Sequence, residues 1–112
     1  MVVSLKENAA FRRLYYRGVS AGNRYLVIYC RRNGTDVSRM GLTVSTKLGH
    51  AVVRNRVRRR LREIVRLHED TLAEGFDFVI VARSASVGAD FDALTRAFLT
   101  LTDKLGMQKK QP

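Results

Sequence analysis

The run DFVIVARS at residues 77–84 restricts the fold more than any other stretch of the chain. Phe78 to Ala82 are apolar without a break and rich in β-branched side chains, so the run reads as a strand buried on both faces. Such a strand needs a sheet around it and helices to cover that sheet.

The other segments supply both. Residues 7–17, ENAAFRRLYYR, begin with an acid, contain no Gly or Pro and stop at Gly18, the pattern of a short helix. Phe11, Leu14 and Tyr15 share one face of it, and Arg12, Arg13 and Arg17 lie elsewhere around the cylinder. The turn-rich GVSAGN that follows has room for a short edge strand. RYLVIYCRR at 24–32 is a strand by composition, and alternation sets Leu26, Ile28 and Cys30 on one face and Tyr25, Val27, Tyr29 and Arg31 on the other. NGTD at 33–36 is a hairpin signal, which predicts that SRMGLTVST at 38–46 returns antiparallel as the next strand. Phe91, Leu94, Phe98, Leu101 and Leu105 repeat at three and four residues, an amphipathic helix capped by Asp90, and residues 107–112 are expected to fray. With a helix at the arginine-rich segment described next, the order is α-β-β-β-α-β-α. That order predicts one α+β domain over residues 1–112, a two-layer α/β sandwich in which helices cover a small sheet.

Charge narrows the function. The formal net charge is +11, and residues 1–60 carry fourteen Lys or Arg against only Glu7 and Asp36. A field so concentrated attracts a polyanion and holds it by releasing counterions, which favours nucleic acid over an anionic membrane surface or an acidic protein. The single Cys30 excludes an internal disulfide and suits a reducing compartment. No leader-like N-terminus and no long apolar run are seen, which predicts a cytoplasmic protein without a membrane contact.

The charge peaks in AVVRNRVRRRLREIV at 51–65, with six arginines between Arg54 and Arg62. On a helix Val53, Val57, Leu61, Ile64 and His68 form a packing stripe, and Arg54, Arg58 and Arg62 form a cationic row beside another of Asn55, Arg59 and Arg66. Like charges at i, i+4 each cost an isolated helix about 0.2–0.5 kcal/mol, and only Arg59 with Glu63 is placed to offset this. A partner that supplies negative charge explains the arrangement better than a solvated face does. Arginine's planar fork suits phosphates and base edges. A helix-turn-helix DNA reader is disfavoured, because a glycine-containing loop and a strand precede this helix.

STKLGHAVVRNRVRRRLREIVR resembles the signature of the protein subunit of bacterial ribonuclease P, through Lys47, Ala51, Val52, Arg54, Asn55, Arg56, Arg59, Arg60, Arg62 and Glu63. FRRLYYRG, NRYLVIYCR, MGLTVSTKLG and FDFVIVAR stand in that family's order, while Thr46 and His50 occupy positions where such sequences often carry Lys and Asn. The resemblance implies a left-handed βαβ crossover at the arginine helix, and docking of this helix and its preceding loop on the catalytic RNA. Lys47, Arg54, Asn55, Arg56, Arg58, Arg59, Arg60 and Arg62 are the candidates for that contact.

A second candidate surface combines Phe11 and Tyr15 on the first helix with Tyr29 on the strand, near Arg24 and Arg31. Aromatic and basic groups together either hold unstacked bases or, in the simpler reading, pack helix on sheet. In the family the corresponding cleft takes the 5′ leader of precursor tRNA, which assigns Phe11, Tyr15 and Tyr29 to it. Catalytic residues and a protein metal site are not expected, since a two-metal nuclease needs converging carboxylates and the acids here are scattered. The resulting expectation is an accessory subunit, monomeric in a 1:1 complex with a Mg²⁺-bound catalytic RNA that removes the leader and leaves a 5′ phosphate on the tRNA. The alternative is a structural, ribosomal-type RNA-binding protein without turnover.

Overall fold

A computed structural model describes residues 2–109. Its elements are β1 (Val2–Ser4), α1 (Asn8–Arg17), β2 (Val19–Gly22), β3 (Leu26–Arg32), β4 (Ser38–Thr43), α2 (Ala51–His68), β5 (Phe76–Ala82) and α3 (Phe91–Lys104). The sheet order is β1-β4-β5-β3-β2, so the apolar run lies at its centre. β5 pairs antiparallel with β3 and parallel with β4. Phe78, Ile80 and Ala82 point to one face, where they pack with Leu26, Ile28 and Cys30 beneath α2 and α3. Val79 points to the other and packs with Leu5, Ala10 and Leu14 beneath α1. Fully burying a side chain such as Phe78, Ile80 or Leu61 contributes about 1.5–3 kcal/mol, so this double-sided strand anchors both halves of the core.

The α+β class stands, and the layers number three rather than two. α1 covers one face and α2 with α3 the other, because a strand apolar on both faces requires cover on both. The β3–β4 hairpin is also corrected. NGTD does form a tight turn, with Gly34 at φ +74° and the Asn33 side chain accepting from the Thr35 N–H, but β5 inserts between the two strands. β4 instead feeds α2, and α2 feeds the parallel β5, a βαβ unit. β1 is an added strand, parallel to β4 in the register Val2–Ser38 to Ser4–Met40.

The C-terminal helix follows its sequence signals. Asp90 Oδ1 accepts from the Ala93 N–H at 2.7 Å, a cap worth about 1 kcal/mol. Residues 107–109 do not fray. Gly106 turns left-handed at φ +73°, its N–H reaches the Asp103 carbonyl, and the Met107 N–H reaches that of Thr102. This is a Schellman closure, and it buries Met107. The Lys109 N–H then donates to the Thr71 carbonyl, and residues 110–112 lie outside the described residues. Cys30 is buried, and desolvation pushes its thiol up to about 11, which keeps it inert.

Candidate nucleic-acid interface

α2 presents its charge in three sectors. Val57, Leu61, Ile64 and Val65 are buried against the sheet, with Val53 and His68 half-buried at the ends of the stripe. Arg54 and Arg60 lie on its flanks and are occupied by the fold: Arg54 Nε donates to the Gly49 carbonyl at 3.2 Å, and Arg60 Nη1 to that of Ala89 at 3.0 Å. Arg58 Nη1 donates to Asn55 Oδ1 at 3.0 Å, which presents both side chains as one polar unit. Arg56, Arg59 and Arg62 are exposed and make no side-chain hydrogen bond among the described residues. The expected Arg59–Glu63 pairing is replaced by Glu63 with Arg66, whose Nε and Nη2 span both carboxylate oxygens; Arg66's hydrogen bonds hold the Glu63 carboxyl below its usual range.

The approach to α2 reinforces this field. Lys47 is exposed on a 3₁₀ turn, Thr46–Leu48, whose start is held by the Ser45 hydroxyl accepting from the Lys47 N–H at 3.1 Å. Gly49, at φ +145°, lies against Val53 and turns the chain into the helix. His50 caps without a side-chain bond, and no acid occupies the first turn, so the unpaired N–H groups and the positive end of the dipole add to the arginines.

Phe11, Tyr15 and Tyr29 meet on the opposite face of the sheet. The Phe11 ring sits directly over Gly41, where even a Cβ would collide with it, so α1 can approach only because β4 has no side chain there. The Tyr15 and Tyr29 rings stand edge to face with centroids 4.9 Å apart, and the Tyr15 hydroxyl shares a 2.8 Å hydrogen bond with Thr43 Oγ1. The register rows explain the grouping. Gly41, Val79 and Tyr29 are one row across β4, β5 and β3, and Thr43, Val81 and Val27 the next. α1 lies over the first row and leaves the second partly open as a floor beside Tyr15. Gly41 and Thr43 carried no sequence signal, because their role is visible only once β4 lies beside β5.

The two basic residues expected here separate. Arg24 stands 5.7 Å from the centre of the Tyr25 ring, and both border α3 near Arg96, away from the aromatic group. Tyr25 precedes β3, so strand alternation does not govern its side chain. Arg31 does lie on the α1 side, in the row Arg39, Asp77, Arg31 beyond Tyr29. Arg39 donates from Nε to Asp77 Oδ1 at 2.8 Å and from Nη2 to Oδ2 at 2.5 Å, and Asn33 Nδ2 adds a third bond at 2.9 Å. Burial pushes the Asp77 carboxyl up, but the hydrogen bonds from Arg39 and Asn33 and the charges of Arg39 and Arg13 outweigh it and hold the group below its usual range. A carboxyl so held stabilises the fold above its ordinary value and loses that contribution as pH falls through its own lower one. Asp77→Asn is therefore expected to cost about 1 kcal/mol at neutral pH, the deficit shrinking in acid. Urea melts at both pH values check this, and a deficit that grows on acidification overturns it.

Among the described residues no group of three or more His, Cys, Asp or Glu is placed to hold a metal, and no helix is long and apolar enough to cross a membrane. The ribonuclease P family model matches residues 2–106. The ribonuclease P protein component of Desulforamulus reducens is 44% identical over 96% of this chain and 96% of its own. Among solved structures, the RNase P protein of Staphylococcus aureus superposes with a TM-score of 0.87 at 30% identity, covering 95% of this chain and 97% of that one. That of Thermotoga maritima gives 0.81 at 33%, covering 87% and 92%. With a match over nearly its whole length in both sequence and fold, the chain belongs to the ribonuclease P protein family.

Proposed function

We propose that the chain is the protein partner of the catalytic RNA of ribonuclease P, and assists that RNA in cutting the 5′ leader from precursor tRNA. The observation that carries this is the separation of two RNA-suited surfaces by one sheet: an arginine helix on one face and an aromatic cleft on the other. Lys47, Arg56, Arg58, Arg59 and Arg62, with Asn55, meet the RNA subunit, while Arg54 and Arg60 shape the loop and flank that present them. Phe11, Tyr15 and Tyr29 hold unstacked leader bases, with Arg31 beyond them. Arg24 is assigned to neither surface.

The protein's contribution is electrostatic and positional: it lowers the repulsion between two RNAs and fixes the leader so that the scissile phosphate is held in place. Mg²⁺ belongs mainly to the RNA and supplies the hydrolytic chemistry there. On the protein the donor sets do not suit it, since Asp77, in the row beyond Tyr29, is already engaged by Arg39 and Asn33. The protein works as a monomer, one per RNA, in the cytoplasm. A structural RNA-binding protein without turnover would use the arginine helix but has no need of a single-strand cleft.

Precursor tRNA cleavage at low Mg²⁺, with protein alone, catalytic RNA alone and both together, tests the assignment. Stimulation of the RNA, and a 5′ phosphate on the mature product, are expected. Cleavage by the protein alone overturns the accessory role, and absence of stimulation overturns the whole assignment.

A further inference from the structure

On the side of α1 away from Thr43, a hollow of about 310 Å³ is bordered by Arg13 and Arg17 of α1, Arg31 and Arg32 of β3, and the Arg39–Asp77 pair. The guanidinium groups of Arg13, Arg17, Arg31 and Arg39 lie on the same side of the sheet as one carboxylate, Asp77. That carboxylate is already consumed, because Arg39 takes both of its oxygens and Asn33 one of them again. Among the described residues Arg13, Arg17 and Arg31 form no ion pair, whereas the Arg32 guanidinium turns to the other face of the sheet, 4.8 Å from the centre of the Phe76 ring. Three further positive charges, those of Arg13, Arg17 and Arg31, therefore converge on one concave site whose single carboxylate is already hydrogen-bonded to Arg39 and Asn33. This arrangement is distinct from α2, which lies on the opposite face of the sheet, and it differs from the aromatic cleft in having no base-stacking floor.

Its position relative to the cleft identifies the ligand. Arg31 follows Tyr29 by two residues on the same strand and so points to the same face one step further along. A single strand stacked on Tyr29 and Tyr15 is thus one strand step from the hollow. Forked guanidinium groups recognise phosphate oxygens by paired hydrogen bonds and read no sequence.

We infer that this hollow binds the phosphodiester backbone of the leader beyond the nucleotides held by the aromatic cleft, giving affinity that grows with leader length. The inference rests on the leader-binding role assigned to that cleft. Arg13 and Arg17 are exposed on a helix where Ala is the best-tolerated residue, so Arg13→Ala/Arg17→Ala keeps the fold.

Affinities of the protein–RNA holoenzyme for mature tRNA and for precursors with short and long leaders of one sequence test it. The double variant should match wild type on mature tRNA and on the short leader. It should lose the added affinity of the long one, and the long-leader salt dependence should flatten by about 1.4 in log–log slope, ~0.7 for each phosphate contact to a single strand. Equal losses at every leader length, or weakened assembly with the RNA subunit, overturn the inference, as does an unchanged length dependence. A Tyr29→Ala arm separates the two levels. Undiminished short-leader affinity in that variant overturns the cleft itself, whereas unchanged length dependence in the arginine variant overturns only the hollow.

Discussion

Replacing Arg56, Arg59 and Arg62 together by Ala is expected to flatten the salt dependence of binding to the catalytic RNA by about 2.7 in log–log slope, at ~0.9 per phosphate contact removed. Between about 50 and 200 mM salt, wild type should then lose roughly 40-fold more affinity than the variant. The protein's own stability should move the other way. All three side chains are exposed, Ala is the strongest helix former, and the changes remove the Arg58–Arg62 and Arg62–Arg66 repulsions at i, i+4. Arg54→Ala and Arg60→Ala provide the contrast, since each releases a loop carbonyl and should cost about 0.5–1.5 kcal/mol of stability along with affinity. Salt titrations of RNA binding beside thermal melts separate the two classes. An unchanged slope in the triple variant removes these arginines from the phosphate contact.

That division among the arginines was not legible from helical spacing alone. Periodicity correctly separated the Val57–Leu61–Ile64 stripe from the charged sectors, because burial of a helix face follows from geometry within the helix. Whether a flanking arginine is free depends on carbonyls brought from elsewhere, Gly49 in the preceding loop and Ala89 before α3. The same distinction runs through the fold. DFVIVA declared a strand buried on both faces, and its two faces already implied cover on both sides. What it could not declare was its neighbours, so the local turn at Asn33–Asp36 suggested a direct β3–β4 pairing that β5 displaces. A turn reports the reversal of the chain; pairing is decided by which strand buries more apolar surface.

Two shorter segments show where signals were absent or present but weak. β1 is three residues long and held by parallel pairing with β4, too short for alternation to register. The closure of α3 did leave a trace, since glycine after the last periodic leucine, followed by an apolar residue, is the Schellman pattern, and Met107 fills that apolar position. At the cleft, the three aromatic positions could be chosen from residue type and family resemblance. Their seat could not, because Gly41 matters only for lacking a side chain where Phe11 arrives from another element.

Tyr29→Ala should weaken binding of precursor tRNA relative to mature tRNA by about 1–3 kcal/mol, the worth of one base stacked on an aromatic ring, or roughly 5- to 150-fold. The ratio of the two affinities is the decisive quantity. Tyr29 also packs on the smaller core beside Leu14 and Val79, so its truncation lowers stability. A smaller folded fraction weakens both ligands alike and leaves their ratio unchanged, whereas loss of a stacking surface moves the precursor only. Tyr15→Phe refines the test: it keeps the ring against Tyr29 and removes only the 2.8 Å hydrogen bond to Thr43, so the ratio should shift by less than about 1 kcal/mol. Equal losses for precursor and mature tRNA in Tyr29→Ala assign the ring to packing α1 on the sheet, and the leader must then be held elsewhere.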